Sequence, residues 1–232
     1  PDVKKKDALR HYATRFDCAE LNAPFYRTPT PQAVQGWREQ TPDDFMFAWK
    51  ASRYITHWKQ LGPTAASSLE LMETRLAHLG SKLGPVLFQL PPKLAFDPGR
   101  LAAFLDLLDP RRRYAFEFRH PSWYVRETFD LLAARDAALC LSDHADAPAP
   151  WERTASWIYV RGHGPSGRYH GSYPDETLGR WAAEIARWRR QGREVWCFFD
   201  NDVKSAAPAD AARLLALLAP RRAGRVSAAS AP

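Results

Sequence analysis

Seven short runs of this chain are almost continuously apolar and rich in β-branched and aromatic residues, and most are separated by helical patterns. They are FDCAELN (Phe16 to Asn22), FMFAWKA (Phe45 to Ala51), PVLFQLP (Pro85 to Pro91), YAFEFR (Tyr114 to Arg119), ALCLSD (Ala138 to Asp143), WIYVRGH (Trp157 to His163) and EVWCFFDN (Glu194 to Asn201). Strands that are wet on one face alternate apolar with polar. Runs apolar throughout are covered on both faces, which is the condition of a parallel sheet flanked by helices.

The intervening segments carry helix punctuation. Thr30 and Asp97 precede Pro31 and Pro98 as N-caps followed by proline at the first helical position. Leu178, Trp181, Ile185 and Trp188 fall on one helical face, and that helix is expected to stop at Gly192. The pattern SSLELMETRLAHLGSKLG is expected to run to Gly84 as its C′ residue. Shorter helices are expected over Glu127 to Arg135 and in the last apolar segment. Alternating strands and helices make βαβ units. Seven exceed the usual flavodoxin-like sheet and fall one short of a (β/α)₈ barrel. The expected fold is α/β, a TIM-type parallel barrel in a single domain over residues 1–219, with 220–232 a disordered tail.

Within each run the apolar part comes first and the polar part last. Glu20 and Asn22 close the first, Lys50 the second, Gln89 the third, and Glu117 and Arg119 the fourth. Asp143 closes the fifth, Arg161 and His163 the sixth, and Asp200 and Asn201 the seventh. A parallel barrel gathers these ends at one mouth, where active sites of this architecture lie. Residues two apart on a strand share a face, so Glu20 with Asn22, Glu117 with Arg119, and Tyr159 with Arg161 point the same way.

Composition narrows the partners. No stretch of about 18 apolar residues is present, so no membrane span is expected, and no signal-peptide pattern opens the quoted sequence. The three cysteines, Cys18, Cys140 and Cys197, lie far apart inside predicted strands without metal spacing, and read as free buried thiols. Together these features give a cytoplasmic expectation. The formal charge of +7 favours an acidic partner. Part of that charge lies in KKK at Lys4 to Lys6 and in the C-terminal RRAGR, so charge alone supports nucleic-acid binding only weakly.

The long ordered motifs ELNAPFYRTPTPQAVQGWREQTPDDFMFAWKASRYITH, LFQLPP, FEFRHPSW, YVRGHG with YHGSY, and FFDND resemble the YecE-like family, domain of unknown function 72, from about His11 to Leu218. The resemblance implies a TIM-barrel-like fold and no established activity. By position it marks Glu20, Asn22, Tyr26, Arg27, Lys50, Thr56, His57, Gln89, Glu117, Arg119, Trp123, Asp143, Tyr159, Arg161, His163, Asp200 and Asn201. It also implies a first strand with a GTSGW-like motif, which would precede Pro1. The expected barrel therefore lacks one strand, with a gap between the FDCAELN and EVWCFFDN strands.

Three chemistries suit these residue types. Metal-dependent hydrolysis has carboxylates and histidines but no H-x-H or H-E-x-x-H spacing, so no metal or nucleotide cofactor is assigned. Glycosidase-type chemistry needs two carboxyls about 5–9 Å apart, for which Glu117, Asp143 and Glu20 are the candidates. An anion site is offered by Lys50, Arg119 and Arg161, since guanidinium forks suit phosphate and carboxylate. The resulting expectation is a small anionic, hydroxyl-bearing ligand, a phosphosugar or nucleic-acid fragment, with hydrolase or isomerase acid–base chemistry. Glu117, Asp143 and Glu20 are the catalytic candidates. Asn22, Lys50, His57, Gln89, Arg119, Trp123, Tyr159, Arg161, His163, Asp200 and Asn201 are the ligand-binding ones. The alternative is a barrel that binds a ligand or partner without turnover.

Overall fold

A computed structural model describes residues 4–219. The proposed tail lies outside the described residues. The strands are β1 (Cys18–Leu21), β2 (Met46–Lys50), β3 (Leu83–Gln89), β4 (Tyr114–Glu117), β5 (Ala138–Ser142), β6 (Ile158–Gly162) and β7 (Val195–Phe199). The helices are α1 (Ala8–Tyr12), α2 (Ala23–Tyr26), α3 (Pro31–Glu39), α4 (Ala66–Leu76), α5 (Pro98–Asp106), α6 (Arg126–Ala133), α7 (Asp175–Arg190) and α8 (Ala206–Leu218). All seven strands are parallel and pair in sequence order, and the sheet curls into a nearly closed barrel. Among the described residues no ladder joins β1 to β7. The residues of β1, and Val195, Cys197 and Phe199 of β7, are only half-buried.

Strand parity sorts the side chains into two cores. Ala48, Leu87, Ala115, Ala138, Cys140, Tyr159, Trp196 and Phe198 pack on one another inside the barrel, with Cys18 and Met46 at their edge. Their strand neighbours Phe47, Trp49, Val86, Phe88, Phe116, Leu139, Leu141 and Val160 form the other core with the helices. The interior uses alanines on β2, β4 and β5 and fills the remaining space with large rings from β6 and β7.

Local signals act as the sequence suggests in most helices. Thr30 Oγ1 accepts from Ala33 N at 3.2 Å and Asp97 Oδ1 from Arg100 N at 2.9 Å. Leu178, Trp181, Ile185 and Trp188 are all buried, and Gly192 closes the helix with φ +74°. Gly84 does not. The α-helix ends at Leu76, a 3₁₀ segment follows, and the left-handed residue is Gly80, with φ +58°. Gly84 lies inside β3, where a Cβ would stand 2.7 Å from Cη2 of Trp196. The glycine is therefore required by the ring that fills the barrel base, not by a helix end. Gly84→Ala should destabilise the fold by about 1–3 kcal/mol through overpacking. Urea unfolding checks this, and an unchanged midpoint would show that Trp196 can move aside.

Candidate functional site

The inward parity that builds the lower core continues upward into polar side chains. Above Cys18 comes Glu20, above Ala48 comes Lys50, above Leu87 comes Gln89, and above Ala115 come Glu117 and Arg119. Above Cys140 comes Ser142, above Tyr159 come Arg161 and His163, and above Phe198 comes Asp200. The strand ends thus meet as a polar layer, the floor of the mouth, resting on the apolar core.

Arg161 organises that layer. Its Nη2 lies 2.7 Å from Glu20 Oε1 and 2.9 Å from Asp200 Oδ2, and its Nη1 lies 2.7 Å from Glu117 Oε2. Nε adds a bond to Glu20 Oε2 at 3.1 Å, and Tyr159 Oη donates to the same oxygen at 2.6 Å. Glu117 is fully buried. Its Oε1 accepts from Arg119 Nη2 at 2.6 Å and Ser142 Oγ at 3.0 Å. Arg119 continues outward to Tyr169 Oη at 2.7 Å. His163 Nε2 faces Arg119 Nη2 at 3.1 Å and Arg161 Nη1 at 3.3 Å. Guanidiniums only donate, so Nε2 accepts and the ring proton sits on Nδ1, 3.4 Å from both Asp143 Oδ1 and Ser142 Oγ. Asp143 also accepts from His163 N and from Tyr173 Oη. A cavity of about 280 Å³ opens beside Asp143, walled by Trp151, Tyr173 and Trp181.

The electrostatics follow from this wiring. Burial alone would push the Glu117 carboxyl up, but the Arg119 and Arg161 guanidiniums beside it hold it well below the usual carboxylate range. Glu117 is therefore an ionised strut with both oxygens engaged, a positioning group more than a proton donor. Three carboxylates (Glu20, Glu117, Asp200) meet two guanidiniums here, and a fourth, Asp143, meets His163. The sequence-level picture of Arg119 and Arg161 as free anion forks changes accordingly: Arg161 spends all its side-chain nitrogens on the protein, while Arg119 engages both Nη atoms and keeps Nε buried without a partner.

Lys50 in this layer, and Arg53 and Lys59 toward the rim, are cations without carboxylate partners among the described residues. Lys50 is 6% exposed, and Nζ stands 4.4 Å over the Phe25 ring. The His57 ring packs against the same ring at 5.2 Å, and its Nδ1 meets Thr56 Oγ1 at 2.9 Å. Burial, with Lys50, Arg119 and Arg53 nearby, lowers the His57 pKa. Thr56 and His57 belong to one π-helical turn, Tyr54–Trp58, of the kind frequent at functional sites. This turn and α2 display Tyr26 and Trp58, 68% and 65% exposed, with Arg53 Cζ 5.9 Å from the Trp58 ring and Lys59 Nζ 5.3 Å from the Tyr54 ring.

The structure brings Glu20, Glu117, Arg119, Asp143, Tyr159, Arg161, His163 and Asp200 into one connected network, with Lys50 beside it and His57 across the Phe25 ring from Lys50. Gln89 ends β3 and donates to Leu90 O at 3.1 Å, and Asn22 follows β1 half-buried. Two candidates sit behind the mouth. Trp123 is fully buried, stacks on Phe118 at 4.7 Å and donates from Nε1 to Leu94 O, so it braces a loop and offers no platform. Asn201 is fully buried and ties Gly171 O to Asp210. Sequence reasoning missed Ser142, Phe25 and His144. His144 packs against His163 and Tyr169, and burial with Arg119 and His163 lowers its pKa to about 4. The period-two pattern above Cys140 was the available signal for Ser142. Burial raises the pKa of all three cysteines, Cys197 to about 12, which removes them as nucleophiles.

A family model described as "Protein of unknown function DUF72" matches residues 1–232. The UPF0759 protein YecE of Escherichia coli K12 is 37% identical over 122 residues, 51% of this chain and 44% of that protein, so the match spans under half of that relative's length. The UPF0759 protein YunF of Bacillus subtilis 168 is 24% identical over 251 aligned positions, covering 94% of this chain and 89% of its own. A DUF72 family protein from Thermotoga maritima MSB8, TM1631, superposes with a TM-score of 0.82 at 25% identity, covering 94% and 91% of the two chains. EF0366 from Enterococcus faecalis V583 gives 0.81 at 18%, covering 93% and 95%.

Removing one partner from a buried, paired cluster leaves the other charges uncompensated. Glu117→Gln should lower the unfolding free energy at pH 7 by about 3–5 kcal/mol. Because the folded-state pKa of Glu117 is depressed, its stabilisation is complete above the unfolded carboxyl value, near pH 4, and is lost as pH falls through the folded value. The gap between wild type and variant should therefore narrow below about pH 4. Denaturant titrations across pH check both, and a variant as stable as wild type at pH 7 would break the assignment.

Proposed function

The chain belongs to the DUF72 family of proteins of unknown function, and from that premise we propose that its barrel mouth binds a small anionic, hydroxyl-bearing molecule, a sugar phosphate or the end of a nucleic acid, and acts on it by acid–base chemistry of the hydrolase or isomerase type. The observation that carries this reading is the division of charge between floor and rim. The floor is a network in which carboxylates outnumber guanidiniums, and the mouth cations without carboxylate partners among the described residues are Lys50 within that layer and Arg53 and Lys59 on the turn beyond it. Hydroxyl groups are good donors to the remaining lone pairs of Glu20 and Asp200, whereas a phosphate there would meet like charge. The phosphate belongs at the rim, toward Arg53 and Lys59, with Lys50 below.

Proton transfer in this arrangement falls to His57 and Asp200. His57 is half-buried with a lowered pKa, so it is a neutral base near pH 7. Asp200 is the network carboxylate that combines a partly exposed side chain with a direct arginine contact, whereas Asp143, also partly exposed, is held by His163 and Tyr173. Glu117, Arg161 and Arg119 hold the floor rigid, which is what positioned chemistry requires. The exposed aromatics Tyr26, Tyr54 and Trp58, interleaved with Arg53 and Lys59, favour a nucleic-acid terminus as the second form of the ligand, because bases stack on such rings.

Thermal unfolding with glycerol 3-phosphate, glycerol, inorganic phosphate and a short single-stranded oligonucleotide tests the reading. Glycerol 3-phosphate at 100 times its dissociation constant should stabilise by about 2.7 kcal/mol, with less effect from glycerol or phosphate alone. Arg53→Gln should weaken that binding about tenfold to a hundredfold, the worth of a charge-assisted hydrogen bond. Oligonucleotide binding that falls steeply with salt would select the nucleic-acid form. Failure of every phosphate-bearing ligand to stabilise the protein would overturn the reading.

A further inference from the structure

Two lysines are buried among the described residues, and they are opposites. Lys82, 4% exposed, has three oxygens around Nζ: Arg38 O and Thr41 O at 2.7 Å and Thr41 Oγ1 at 3.2 Å. It is a satisfied structural cation. Lys50, 6% exposed, has no hydrogen-bond or carboxylate partner among the described residues. The carboxylates of the layer it belongs to are committed elsewhere: Glu20, Glu117 and Asp200 to Arg161, and Glu117 also to Arg119. Its neighbour is the Phe25 ring. An ammonium in such a place is costly to keep charged. Burial, and then the positive charge of Arg161, lower the Lys50 pKa against the pull of Glu20, Glu117 and Asp200. The face of the Phe25 ring opposes this through cation–π attraction. A lysine desolvated beside another cation is the arrangement that yields a nucleophilic amine.

We propose that Lys50 Nζ is a nucleophile that condenses with the carbonyl group of a small anionic ligand at the barrel mouth. This rests on the reading of the mouth as a ligand site and gives that ligand a further chemical feature, an aldehyde or ketone. The amine lone pair adds to the carbonyl carbon, forming the C–N bond, and the carbonyl oxygen takes up a proton. The C–O bond of the carbinolamine then breaks, water leaves, and loss of the nitrogen proton gives the neutral imine. No redox partner is needed. His57, packed on the same Phe25 ring and held by Thr56, is the group that accepts and returns the proton. The imine carbon would lie over the carboxylates of the floor, which can orient neighbouring hydroxyl groups.

Borohydride trapping tests this on the unmodified protein. Dihydroxyacetone phosphate is the probe, and sodium borohydride reduces any imine to a stable secondary amine. At near-neutral pH exposed lysines are ammonium and react poorly. The expected result is a single labelled peptide containing Lys50, heavier by the probe less one oxygen atom. Lys50→Met, close in volume, should abolish the label, and His57→Gln should slow trapping about 100-fold. Label spread over exposed lysines, or no label on Lys50, overturns the proposal. Glycerol 3-phosphate, which has no carbonyl, separates the two claims in parallel. If it stabilises the protein while Lys50 stays unlabelled, the imine is wrong and the ligand site stands. If neither result appears, both fall.

Discussion

The structure depends on the placement of one buried guanidinium. Arg161 stands on β6, yet it binds Glu20 on β1, Glu117 on β4 and Asp200 at the end of β7. Backbone ladders join β1 through β7 in order but do not join β7 back to β1. What spans the mouth on that side is Arg161, with Tyr159 beside it reaching the same Glu20. A planar fork with five donors can serve three carboxylates at once, and an ammonium point charge on a flexible stem cannot. Glu20, Glu117 and Asp200, and through them Tyr159, Arg119 and Ser142, owe their positions to this fork, while Gln89 and Lys50 in the same layer do not bind it.

Such a network is a poor device for stability alone. Burying several charges costs more than most pairings return, and well-packed apolar replacements of buried ion pairs are often neutral or stabilising by about 1–4 kcal/mol. The apolar cores hold the fold: an inner cluster of alanines and large rings, and an outer one between sheet and helices. The network instead fixes a set of carboxylates and donors at the strand ends in one geometry. That fits a site that must present fixed dipoles to a ligand. It also explains why Lys50 stands out, since the one strong source of counter-charge near it is already committed to arginine.

Much of this was legible in the sequence because period-two patterning and chain order suffice for it. The near-continuous apolar runs gave the parallel sheet, and the polar residues that end them gave the mouth. What failed required knowledge of distant partners. Gly84 reads as a helix end because glycine usually is one, but its neighbour is Trp196, more than a hundred residues away. Trp123 reads as a ligand contact because it follows a polar motif, yet stacking on Phe118 turns it inward. Arg119 and Arg161 read as free cations because a sequence shows charges and not which of them are already paired. The π-helical turn Tyr54–Trp58 has no sequence signature of its own, so the joint placement of His57 and Lys50 on Phe25 came only from the fold.

The account stands on Arg161 coupling strand ends that have no ladder between them. Glu20 and Glu117 have no bond to each other and share this one guanidinium. A double-mutant cycle on unfolding free energy, with Glu20→Gln and Glu117→Gln singly and together, measures that coupling directly. The account predicts a coupling energy above about 0.5 kcal/mol, and up to about 3 kcal/mol, as for residues in one ion network. Additive effects would contradict it and would leave the mouth as a set of independent ion pairs.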